Sequence, residues 1–158
     1  MKIKVEKEKL KTKWFYLASM KPEFLDNFLG LGAKIALNTS PYLAKAKPRK
    51  ILEKTDILVL NKEEAELLGD DTGLVKTLVI TDKDRQVQAW HEGKRYTIEP
   101  HKNIKSIERT GAGDAFASSF VAGMIKTNDP EVALRIALAN SESVIQNYGA
   151  KNRLLSWR

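Results

Sequence analysis

The strongest constraint on the fold is Ile57–Leu60, ILVL, which runs directly into Asn61 and a helical pattern over Lys62–Leu68. An unbroken apolar run with no polar alternation suits a strand covered on both faces, as strands of parallel sheets are. Parallel neighbours cannot be joined by a hairpin, so helices must lie between them. The rest of the chain follows that rule. Trp14–Ala18 (WFYLA), Lys34–Asn38 (KIALN) and Thr77–Thr81 (TLVIT) read as strands. Lys21–Leu31 reads as a helix, with Phe24, Leu25, Phe28 and Leu29 at helical spacing and Pro22 in the first turn. Pro48–Lys54 is a short helix, and Gly69 closes the helix over Lys62–Leu68.

Val87–Trp90 and Arg95–Ile98 flank the turn residues His91–Lys94 and form a small β-hairpin. Asp114–Lys126 is a helix rich in small and apolar residues. A last helix starts at Asp129-Pro130-Glu131, with Asp129 as cap and Pro130 in the first position. Val132, Ile136, Ala139 and Ser143 share one of its faces, and Gly149 ends it. The expected class is therefore α/β: a mostly parallel sheet with helices on both faces, plus the hairpin, in a single domain over residues 1–158. Ligands on such sheets bind beyond the carboxyl ends of the strands. Asn61, Thr81 and Thr110 fall at such positions.

Composition narrows the setting. The chain has 158 residues, 42% hydrophobic and 30% charged, enough to bury a core as a soluble protein. No apolar run approaches the roughly 20 residues that span a bilayer, and the basic start MKIKVEKEKLKTKW has no apolar stretch of a signal peptide behind it. The absence of cysteine rules out disulfides, thiolate metal sites and a Cys nucleophile, and fits a cytoplasmic location. The net charge of +7 favours anionic partners, but the lysines alternate with Glu along the chain. With no aromatic-basic interleaving, nucleic acid is not the expected partner. His91 and His101 lie in the hairpin turn and a polar loop and carry no expected role.

The chemistry concentrates in Thr110-Gly111-Ala112-Gly113-Asp114. A helix start offers unpaired N–H groups and the positive end of the helix dipole. Glycines let backbone approach an anion, so the stretch can hold a phosphate or its developing charge. An aspartate in that first turn either caps the helix or accepts a proton from a hydroxyl. These residues alone leave a capped turn and a phosphate cradle both open. Asn61-Lys62-Glu63-Glu64 is open in the same way. Asn followed three residues later by Glu has the form of a capping box. A carboxylate at a helix start also suits magnesium, which keeps several waters.

TGAGDAF resembles the C-terminal signature of the ribokinase-like, or phosphofructokinase-B type, carbohydrate kinases, and Asn61–Glu64 is similar to their Asn-x-x-Glu motif. The resemblance implies an ATP-dependent phosphotransferase acting on a sugar or nucleoside hydroxyl. In it Asp114 is the catalytic base, and Gly111, Ala112 and Gly113 form an anion hole. Asn61 and Glu64 organise the phosphates and Mg2+, Glu64 through water. Thr81 and Asn140 contact the nucleotide, and Gly149-Ala150 matches the Gly-Ala that closes the family's last helix.

The chain departs from that pattern in three places. Thr81-Asp82-Lys83-Asp84-Arg85-Gln86 lacks the glycines usual after the nucleotide Thr. Glu108-Arg109 stands where the family often has Asp-Thr, whose Asp helps to bind a monovalent cation. An arginine there argues against potassium activation and places a fixed positive charge near the phosphates instead. The resemblance runs from about Trp14 onward and matches only the C-terminal half of the family fold. The half with the glycine pair that grips the sugar, and the lid, has no counterpart. Two further readings follow: a non-catalytic nucleotide-binding remnant, or a subunit that needs a partner chain. An edge left open at WFYLA implies a homodimer or other assembly.

Overall fold

A computed structural model of the chain describes residues 10–18, 20–83 and 85–156. The chain forms two compact units, Met1–Thr81 and Asp82–Arg158. The first holds four strands, β1 (Trp14–Ala18), β2 (Lys34–Asn38), β3 (Ile57–Asn61) and β4 (Thr77–Thr81). They pair in sequence order, every pair parallel, with Leu37 beside Leu58, Leu58 beside Leu78 and Leu60 beside Ile80. One face of these strands contributes Phe15, Leu17, Ile35, Leu37, Leu58 and Leu60 to the core. Ile57, Val59 and Val79 on the opposite face are buried as well. The continuous apolar runs thus reflect burial on both faces. β1 is the exception: Tyr16 is exposed between buried Phe15 and Leu17, and β1 is the edge strand of this unit among the described residues.

The helices of this unit are α1 (Pro22–Leu25), α2 (Pro41–Ala46), α3 (Arg49–Leu52) and α4 (Lys62–Leu68). The helix expected over Lys21–Leu31 is shorter than its apolar spacing suggests: α1 passes into a 3-10 turn over Asp26–Phe28 and then an extended Leu29. Asn27 Nδ2 donates to the Phe24 carbonyl at 3.0 Å, a local bond that competes with helix continuation. Leu25 still points inward, and Phe28 meets Phe15 edge-on at 5.2 Å. α2 was not expected. Ser40 Oγ accepts from Leu43 N and Pro41 opens the helix, the two start signals in adjacent residues. Only Leu43 and Ala44 of α2 are buried, too few to set up a period.

The second unit holds the hairpin β5 (Val87–His91) and β6 (Lys94–Ile98), then α5 (Ala112–Thr127) and α6 (Pro130–Ile145). The hairpin turn is tighter than expected. Glu92 and Gly93 form it, both with positive φ (49° and 75°), the arrangement that matches strand twist. Of the six strands among the described residues, four run parallel and the hairpin pair antiparallel, as the alternation of elements implies.

α6 presents a different face from the one expected. Val132 and Ala139 are exposed and Ile136 and Ser143 only half-buried, whereas Ala133, Leu134, Ala137 and Leu138 are buried. α6 is apolar on more than one side, so spacing alone offers two stripes. The contact with α5 selects the one with small residues: a Cβ on Gly123 would lie 2.8 Å from Ala133 Cα, so the helices touch backbone to backbone there. α6 also ends at Ile145, ahead of Gly149. No helix among the described residues is long and apolar enough to cross a membrane.

Candidate functional site

In the first unit the carboxyl ends of β2, β3 and β4 bring Thr39, Asn61 and Thr81 to one end of the strands. Asn61 is the register neighbour of Thr81, whose Oγ1 donates to the Leu60 carbonyl at 3.4 Å. Asn61 caps α4: its Oδ1 accepts from Glu64 N at 2.9 Å, and Glu64 Oε2 accepts from Asn61 N at 3.1 Å. The capping box is therefore formed. Glu64 is not a solvated charge on a helix surface. It is 5% exposed, and its Oε2 accepts a second bond, 2.8 Å from Thr39 Oγ1.

Sequence reasoning missed Thr39. Its signal was its place just beyond β2, where parallel sheets put functional groups. Thr39 is itself 6% exposed and held by its N–H to the Val59 carbonyl at 3.2 Å. Thr39→Val keeps the shape and removes the donor to a buried carboxylate. A loss of about 1.5–3 kcal/mol of unfolding free energy in a urea titration is expected.

In the second unit a loop leads into α5. Gly111 takes φ 83° and ψ −6°, and Ala150 presses against it: a Cβ there would lie 2.6 Å from both Ala150 Cβ and the Ala150 carbonyl oxygen. This position accepts glycine only. Gly113 is the reverse case. It lies in the first turn of α5, is exposed, and a Cβ on it would meet nothing within 4 Å. The fold gives no steric reason for its missing side chain. Ala112 N donates to the Arg109 carbonyl at 3.2 Å. Asp114 is exposed in the first turn, and its carbonyl accepts from Ser118 Oγ at 2.7 Å.

The loop is anchored on the end of α6 and the chain just beyond it. Ile107 N and Glu108 N both donate to the Ile145 carbonyl, at 2.7 and 3.3 Å. Glu108 Oε2 accepts from Gly149 N at 2.7 Å. That N–H, and then the Thr110 side chain, hold the Glu108 carboxyl below its ordinary pKa.

Asn140, which the resemblance assigns to the nucleotide, is buried at 5% exposed. Its Nδ2 donates to Ser119 Oγ (2.5 Å) and the Ala115 carbonyl (3.4 Å), and its Oδ1 accepts from Leu155 N at 2.8 Å. It thereby ties α6 to the first turns of α5 and to the chain's end. Exposed His101 also has a partner the sequence did not suggest. Its N–H and Nδ1 meet the two oxygens of buried Glu142, each at 2.8 Å. Among the described residues no group of three or more His, Asp or Glu is placed to hold a metal ion.

Residues 32–157 match the pfkB family carbohydrate kinases. The ribokinase of Staphylococcus aureus is 31% identical over 138 residues, 76% of this chain and 44% of that protein. The nucleoside kinase of Methanocaldococcus jannaschii is 27% identical over 125 residues, 74% of this chain and 41% of its own. Its crystal structure, that of an archaeal member of the ribokinase family, matches with a TM-score of 0.77 at 25% identity, over 90% of this chain and 52% of that one. A putative ribokinase II of E. coli, crystallised with ATP and Mg2+, shares the fold with a TM-score of 0.76 at 17% identity, over 90% of this chain and 55% of that one. The chain spans less than half the length of these two curated relatives. The glycine loop before α5, the capped Asn61–Glu64 turn after β3 and a family match that includes both make this chain a member of the pfkB family of carbohydrate kinases.

Proposed function

We propose that the chain forms the nucleotide and base half of an ATP-dependent kinase that phosphorylates a hydroxyl of a sugar or nucleoside. The observation that carries this reading is the start of α5, where Gly113 and Asp114 stand exposed and Gly113 has open space where a side chain would be. That space admits an anion against backbone N–H groups at a helix N-terminus, and the adjacent carboxylate can take the proton of an attacking hydroxyl. Asp114 is the general base in this reading. Gly111, Ala112 and Gly113 receive the transferred phosphoryl group, Ala112 by exchanging its turn bond to Arg109. Phosphoryl transfer rests mainly on such positioning and charge stabilisation.

Asn61 and Thr81 act on the nucleotide from the ends of β3 and β4. Asn140 acts through Leu155, which its amide oxygen holds. Glu64 suits Mg2+ through water: its carboxylate is fixed at one oxygen by Thr39 and Asn61, and magnesium takes one or two carboxylates together with substrate phosphates rather than an all-protein cage. Mg2+ would neutralise charge on the phosphates of ATP. A monovalent cation has no role in this reading, and the setting is cytoplasmic.

The test is a panel of sugars and nucleosides with Mg-ATP, read as ADP release. Acceptor-dependent release supports the kinase. ATP binding by calorimetry without release supports a second reading, a nucleotide-binding subunit that needs another chain. Edge strand β1, with Tyr16 exposed, is a template for pairing with a second chain. A dimer or larger assembly is expected in light scattering, and a monomer at tens of micromolar would exclude it.

A further inference from the structure

We infer that Glu108 is a positioning residue: its carboxylate clamps the glycine loop to the segment after α6, and so sets the loop in the shape that the anion hole needs. This rests on the phosphoryl-transfer reading for its purpose, though not for its test.

The loop from Ile107 to Gly113 makes three separate connections to the last residue of α6 and the residues that follow it. The Ile145 carbonyl receives the N–H groups of Ile107 and Glu108. Gly111 lies against Ala150, so closely that no side chain fits between them. Between these two contacts the Glu108 carboxylate takes the Gly149 N–H at 2.7 Å, a separation of 41 residues along the chain. The first connection fixes where the loop enters. The last requires Ala150 to stay in place, and Gly149 is the residue before it. Gly149 has φ 90°, so its backbone is free to turn, and a bond to its N–H removes that freedom. A bond to a carboxylate is roughly twice as strong as a neutral one. The Thr110 side chain bonds the same carboxylate, which ties the residue just before Gly111 into the clamp.

Glu108→Ala removes the acceptor, Glu108→Asp shortens it by one methylene, and Glu108→Gln keeps a neutral oxygen at the same reach. Amide hydrogen exchange, read residue by residue by NMR, reports on the loop without any need for activity. In Glu108→Ala the amides of residues 110–113 and 149–150 should exchange about tenfold faster, as expected when a charge-assisted bond is lost. Amides in the middle of α5 and α6 should keep their protection, which separates loosening of the loop from loss of fold. Glu108→Asp should resemble the Ala variant, and Glu108→Gln should restore part of the protection and an intermediate Gly149 amide proton shift. Unchanged exchange at 110–113 in Glu108→Ala, or no difference between the Gln and Ala variants, overturns the clamp. If the clamp is found while the unaltered protein binds no ATP and releases no ADP, the kinase reading fails and the clamp stands.

Discussion

Asp114→Asn is expected to lower acceptor-dependent ADP release by about 10²–10⁴-fold, the range for removing a positioned general base. The substitution keeps the size and one acceptor oxygen of the side chain but takes away its capacity to hold a proton. Asp114 is exposed, so the exchange creates no buried unpaired group. Loss of its charge from the first turn of α5 costs the helix only about 0.3–1 kcal/mol. Folding, followed by circular dichroism, should therefore be nearly unchanged while turnover collapses, and the affinity for ATP should change little. An Asn variant with wild-type turnover would remove Asp114 from the reaction.

The second large effect falls on stability. Gly111→Ala is expected to destabilise the protein by about 2–5 kcal/mol in a denaturant titration, combining left-handed backbone strain with overpacking. The added Cβ lies 2.6 Å from the Ala150 carbonyl oxygen, a backbone atom that cannot swing aside. Gly113→Ala, two residues on, should do the opposite. It meets nothing within 4 Å and gains helix propensity, so stability should hold or rise by up to about 1 kcal/mol. Its new methyl group would occupy the space assigned to the phosphoryl group, so turnover should fall. The pair separates two reasons for a glycine that look identical in TGAGD. Equal loss of stability in both variants would contradict the geometry.

Much of the fold was legible because it depends on local pattern. ILVL and TLVIT could not lie on an exposed face, and Asn61 with Glu64, or Asp129 with Pro130, mark helix starts within a few residues. Where the sequence misled, two local patterns competed or the decisive neighbour was distant. α6 carries two apolar stripes, and Gly123 on α5 decides between them. Lys21–Leu31 has helical spacing, but Asn27 ends the helix with a bond to Phe24. The candidate site divides in the same way. Thr110–Asp114 and Asn61–Glu64 were visible as motifs because their residues are adjacent. Thr39 was not, since it comes 25 residues before Glu64 and meets it only when β2 and β3 pair.

The amino-acid order by itself determined which segments would be parallel strands and which residues would crowd the start of α5, because burial period and helix capping act over a few residues. The tertiary structure alone decided that Glu64 is a buried carboxylate held by Thr39, that Asn140 is spent on Ser119, Ala115 and Leu155, and that Glu108 reaches Gly149. Those bonds join residues 15 to 41 positions apart. A contact at that range leaves no mark on local spacing. It appears only once strands and helices have brought the two groups together.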